Sequence, residues 1–100
     1  MKYNVEISEQ ANDDLENLAY AITEHFKSPL TAVRYLAGIE EKIRNLSNFP
    51  LAIAPSSNVS LLKYGFNVRH INYKKMAIVY TVSDNTVYVE RVIASSLITD

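Results

Sequence analysis

The 100-residue chain has no cysteine, no tryptophan, two glycines and three prolines. Without cysteine there is no disulfide framework, no thiolate metal site and no thiol nucleophile. Two glycines cannot build a glycine-rich phosphate cradle. No apolar run approaches the ~20 residues that a bilayer requires, so no membrane span is expected. The opening Met1-Lys2-Tyr3-Asn4-Val5-Glu6 lacks an apolar signal core, which points to a cytoplasmic protein. A net charge of -1 with 48% hydrophobic residues is wrong for a disordered chain. The length fits one small domain over residues 1–100.

Charge is scarce overall but unevenly placed. Residues 1–30 carry two lysines against six acids, whereas residues 51–83 carry Lys63, Arg69, Lys74 and Lys75 and no acid. The plain reading is two solvated faces. The sharper one is a basic surface for an anionic partner opposite an acidic helical face.

Hydrophobic period divides the chain. Residues 2–7 alternate, with Tyr3, Val5 and Ile7 on one side, and read as a half-buried strand. Ser8 stands where a helix N-cap belongs. Ala11, Leu15, Leu18, Ile22 and Phe26 then form one helical stripe. Ser28-Pro29 is a second helix start, with proline at the position where a missing N–H costs nothing. Ala32, Leu36, Ile39, Ile43 and Leu46 continue as a second stripe, which Pro50 ends. So short a break implies an antiparallel helical hairpin. Gly38 inside the second helix predicts a close approach to the first. Residues 49–60 form the one long connection, either a functional loop or a disordered one.

Three strands are expected after it, over 64–71, 75–82 and 86–94, with a tight turn at 83–86. The apolar, β-branched middle strand reads as central. The fold class is therefore α+β, in the order β-α-α-β-β-β, a helical hairpin on a four-stranded, mostly antiparallel sheet. Leu15, Leu18, Ile22, Leu36, Ile43, Leu46, Ile78 and Tyr80 are the expected core.

Chemistry is thinly supplied. His25 and His70 are the only imidazoles and have no metal-ligand spacing. His25 reads as a helix-end cap and His70 as a half-buried strand residue. No strand–turn–helix elbow presents a serine. The pairs Asp13-Asp14 and Glu40-Glu41 diverge on a helix and read as solvated faces. What remains is basic and aromatic: Lys63-Tyr64, Arg69-His70, Tyr73-Lys74-Lys75 and Arg91. Such groups bind phosphate oxygens or stack on bases, and suit single-stranded RNA or an acidic protein.

Val5-Glu6-Ile7-Ser8-x-x-Ala11-x-x-Asp14-Leu15 resembles the opening of RelE/ParE family toxins of bacterial type II toxin–antitoxin systems. So do the Ser28-Pro29 break and Ile43-x-x-Leu46-x-x-x-Pro50. Val68-Arg69-His70-Ile71-Asn72-Tyr73, Ile78-Val79-Tyr80-Thr81-Val82 and Val87-Tyr88-Val89-Glu90-Arg91-Val92-Ile93 look like the family's last three strands. The resemblance implies growth inhibition, a role such as plasmid stabilization, a small cognate antitoxin as partner, and no cofactor or metal. It leaves two activities. RelE-like members are metal-independent, ribosome-dependent mRNA endoribonucleases that use basic and aromatic groups near the sheet and C-terminus. ParE-like members poison DNA gyrase. Arg69 matches the basic residue of the second strand. Ala77 stands where a basic residue is common in the third, with Lys75 two places earlier. Ala94-Ser95-Ser96-Leu97-Ile98-Thr99-Asp100 lacks the His, Arg or Tyr of many members. The departures favour the ParE-like activity, with the ribonuclease, an inactive toxin-fold binding module and a plain RNA-binding domain as alternatives. No catalytic residue is assigned. Lys63, Arg69, Lys74, Lys75 and Arg91 are the candidate contacts to target or antitoxin.

Overall fold

The computed structural model describes residues 2–98. Strand β1 (Asn4–Ile7) leads into helix α1 (Glu9–Phe26) and helix α2 (Pro29–Asn45). A 3₁₀ helix (Val59–Tyr64), strands β2 (Arg69–Tyr73), β3 (Met76–Ser83) and β4 (Thr86–Ala94), and a last 3₁₀ turn (Ser95–Leu97) follow.

Both helix starts are capped as the sequence predicts. The Ser8 hydroxyl accepts from the Ala11 N–H at 3.0 Å, and the Ser28 hydroxyl accepts from the Thr31 N–H at 3.2 Å. Each cap satisfies one orphan N–H, which is worth ~1 kcal/mol. Ser8 also donates to the Glu90 carbonyl at 2.9 Å, tying the start of α1 to β4. Lys27 takes the left-handed conformation and turns the chain into α2.

The sheet order is β1-β4-β3-β2. β1 lies parallel to β4, with Val5 opposite Val87 and Ile7 opposite Val89. The other neighbours are antiparallel. Opposite Val79 stands Arg91, but opposite Tyr80 stands Val89, so Glu90 is an extra residue in β4. This bulge reverses the alternation. Val87 and Val89 before it, and Val92 after it, all reach the helix-covered core.

That core joins Ala11, Ile39, Ile43, Leu46, Ile78, Tyr80 and these three valines. Of the expected core, Ile22, Ile43, Leu46, Ile78 and Tyr80 are buried, Leu15 and Leu18 are half-buried against it, and Leu36 is half-buried apart from it. Phe26, at the far end of its stripe, is 59% exposed and lies outside the core. On the other side of the sheet Leu61, Val68 and Val79 form a smaller cluster, joined by Tyr64, Ile93 and Ile98.

Two expectations are corrected. Residues 64–71 are not one strand: Tyr64 closes a 3₁₀ helix and pairing starts only at Arg69. Gly65 adopts φ 129°, a conformation L side chains rarely hold, and turns the chain so that Phe66 points to solvent. Gly38 does not serve contact with α1. A Cβ there would overlap the Tyr73 hydroxyl and ring, so its missing side chain makes room for a β2 residue.

The long connection is pinned at several points. Pro50 is buried and its carbonyl accepts from the Tyr80 hydroxyl at 2.7 Å. Arg69 Nε donates to the Ile53 carbonyl at 2.7 Å, and the Ser56 N–H donates to the Val68 carbonyl at 2.7 Å. Asn58 caps the 3₁₀ helix by accepting from the Ser60 N–H at 3.0 Å and from the Ser60 hydroxyl.

Candidate functional site

Arg91 sits on the face of the sheet away from the helical hairpin, opposite Val79. Its Nε donates to Asp14 Oδ2 at 2.7 Å and its Nη2 to Asp14 Oδ1 at 3.0 Å. Its Nη1 reaches the Tyr64 hydroxyl at 3.4 Å. The hydrogen bonds to Asp14, then that to Tyr64, hold its pKa above the ordinary arginine value. Side-chain exposure is 26% for Arg91 and 14% for Asp14, so little solvent screens the pair.

Asp14 was expected on a solvated face, and the sheet edge explains why it is not. β1 accompanies β4 only as far as Val89, and α1 takes over from there. An unpaired N–H on that edge needs an acceptor. Asp14 Oδ2 supplies it, accepting from the Val92 N–H at 2.9 Å. One carboxylate therefore replaces a missing strand partner and neutralises the nearest arginine.

Of the remaining candidates, Lys63 joins Arg91 and the others lie elsewhere. Lys63, in the last turn of the 3₁₀ helix, has its Nζ 5.4 Å from the Tyr64 ring centre. Together with Ser60, Leu61, Tyr64, Arg91 and Ile93 it lines a cavity of about 180 Å³. Arg69 opens β2 on the helix side, opposite Tyr80, and donates to two backbone carbonyls, of Ile53 and Asn67. Burial raises the Tyr80 hydroxyl pKa, and the Arg69 charge opposes that rise. His70 is on the other face, opposite Val79.

Lys74 and Lys75 form the turn between β2 and β3, roughly 16 Å along the strand from Arg69. Lys74 has φ 53° and holds its Nζ 5.4 Å from the Tyr35 ring centre and 5.6 Å from that of Tyr73. The Lys75 carbonyl accepts from the Ser95 N–H and hydroxyl at 2.8 and 3.0 Å. Five cations thus occupy three places. The sequence reading had missed Asp14 as the partner of Arg91, and had missed Arg34 and Tyr35, which α2 brings to Tyr73 and Lys74. Gly38, three residues beyond Tyr35, was the available signal. Among the described residues no group of three His, Asp or Glu could hold a metal ion, and no helix is long and apolar enough to cross a membrane.

A helical hairpin on a sheet of order β1-β4-β3-β2 is the fold of the RelE/ParE-type toxins. It is similar to a structure of the chromosomal ParDE toxin–antitoxin system from P. aeruginosa, with a TM-score of 0.75 at 14% identity, covering 93% of this chain and 96% of that one. It is also similar to the RelBE2 toxin–antitoxin complex from Mycobacterium tuberculosis, with a TM-score of 0.63 at 21% identity, covering 94% of this chain and 99% of that one. At such identities the likeness is one of fold. The family is fixed by sequence: the profile of the ParE toxin of the type II toxin–antitoxin system parDE matches residues 5–96, and the chain belongs to that family. No curated protein sequence matches it.

Proposed function

We propose that this toxin is ParE-like, poisoning DNA gyrase rather than cutting mRNA, and that a small cognate antitoxin neutralises it in the bacterial cytoplasm. The observation that carries the reading is the capture of Arg91 by Asp14. Metal-independent RNA cleavage needs a free cation at the scissile phosphate and a proton-transfer group within ~3 Å of the reacting oxygens. On the face that holds Arg91, the guanidinium is already neutralised and Tyr64 is directed at it. Lys63 borders the same cavity and His70 lies on the same face, but Ala77, Val79 and Ile93 add no ionisable group, and nor do residues 94–98.

Purified protein is expected to leave mRNA intact in a reconstituted translation reaction, and to trap cleaved DNA when incubated with gyrase and ATP. Codon-specific mRNA cuts that disappear in Arg69→Ala or Lys75→Ala would overturn the assignment and restore the ribonuclease.

The antitoxin reading rests on charge and exposed apolar side chains. Lys63, Lys74 and Lys75 are exposed and lie in the stretch without acids. Exposed ion pairs are worth only ~0–1 kcal/mol each, so they steer an acidic segment rather than hold it. Phe49, Leu51, Val59 and Phe66, all exposed, offer apolar anchors near the pinned loop. A stoichiometric complex with the neighbouring gene product should survive high salt, and charge reversal at Lys74 and Lys75 should slow association. Loss of the complex in salt, with unchanged association rates in the variant, counts against it.

A further inference from the structure

At the end of the sheet where β2 turns into β3, a cavity of about 370 Å³ is lined by Thr31, Arg34, Tyr35, Tyr73 and Lys74. Its walls carry two cations and no carboxylate. The ion pairs formed among the described residues are Lys27–Glu24 and Arg91–Asp14, so Arg34 and Lys74 have no acidic partner there. A second cavity sharing Tyr73 carries Glu41, but Lys42 stands beside it.

The cluster is built rather than incidental. A two-residue hairpin turn favours Gly or Asn where φ is positive, yet Lys74 occupies that place at φ 53°. Lys27 and Asp84 hold the same conformation at their own turns, so here it serves to place the Lys74 side chain. The Tyr35 and Tyr73 rings meet edge-to-face, 5.3 Å between centres, and the Lys74 ammonium lies over both. Cation–π contact fixes the ammonium but leaves N–H groups free to donate outward. Gly38 leaves the notch that admits the Tyr73 ring, so α2 itself sets the position of the pair. Arg34 adds a planar fork suited to oxyanions.

We propose that Arg34, together with Lys74 held against the Tyr35–Tyr73 pair, forms a binding site for a phosphate group. The rings already pack on each other and on Lys74, so the site reads the oxyanion and stacks no base. Burial, with Tyr73 adding to it and a hydrogen bond to the Lys75 backbone opposing, raises the Tyr35 pKa, so its hydroxyl keeps its proton near neutrality. The inference is independent of which cellular target the toxin strikes.

The test is an NMR titration of the full, isotope-labelled chain with inorganic phosphate at constant ionic strength. Saturable shifts are expected at Arg34, Tyr35, Tyr73 and Lys74. Lys74→Gly, which relaxes the turn while removing the ammonium, and Arg34→Gln should each weaken binding about tenfold, the loss of one charge-assisted hydrogen bond. Lys2→Gln, remote in the fold, should not. A single-stranded oligonucleotide that binds more tightly through the same residues assigns a backbone phosphate; no gain over inorganic phosphate assigns a free one. Shifts reproduced by chloride alone, shifts untouched by both variants, or binding of a polyglutamate peptide where phosphate does not bind would overturn the proposal.

Discussion

The two faces of the sheet are covered by different kinds of structure. One is packed by two long capped helices, which place Ile39 and Ile43 against Ile78, Tyr80, Val87 and Val89. The other has Leu61 and Tyr64 from a 3₁₀ helix, Val68 from the segment before β2 and Ile98, gathered about Val79. Regular helices cannot yield locally, so the first face should behave as a unit. A short 3₁₀ lid has few of its own hydrogen bonds and can readjust.

The largest effect that would test this contrast is cavity creation. Ile39→Ala should destabilise by ~2–5 kcal/mol, as a fully buried large-to-small change. Leu61→Ala, equally buried, is expected at the low end of that range, because residual cavity volume sets the cost and the lid can collapse. Urea midpoints measure both, and equal losses would break the contrast. Next comes the residue that bridges α1 to the edge of β4. Asp14→Ala leaves Arg91 and the Val92 N–H without their acceptor and should cost ~1–3 kcal/mol. In a double-mutant cycle with Arg91→Ala the two losses should not add.

The smallest effect is on pH. Tyr80 and Tyr35 have pKa values raised by burial, so folding favours their neutral forms. Their contribution is complete below the unfolded tyrosine value of ~10, and is lost as pH rises through the higher folded values. Stability should therefore fall on the alkaline side. A Tyr35→Phe variant should lose less there, and an identical pH profile would remove Tyr35 from the account.

Legibility in the sequence follows the same division. Ser8, Ser28-Pro29 and the two stripes announce the hairpin, because capping and a 3.6-residue period act within a few positions. Residues 76–82 announce a central strand by being apolar or β-branched throughout. The alternation of Phe66, Val68 and His70 imitates a strand, and only the backbone at Gly65 reveals that Phe66 turns outward. The bulge at Glu90 is hidden because Val87, Val89 and Val92 do not keep one parity. Candidate contacts were legible as residue types and not as a site. Asp14 and Arg91 are 77 positions apart, and no local pattern joins them. Tyr73-Lys74 is visible as a string, but its partners Arg34 and Tyr35 belong to another period on another element.

The parallel pairing of β1 with β4 also has a consequence in time. Ser8 and Glu90, which its end brings together, are separated by 82 positions. At ~5–20 residues per second of synthesis, β1 waits roughly 4–16 s for its partner. The helical hairpin can form meanwhile, but the face it must cover does not yet exist. A chain halted before Thr86 leaves β1 unpaired and the Ser8 hydroxyl without its carbonyl. The sheet is therefore completed only once the last strand is available.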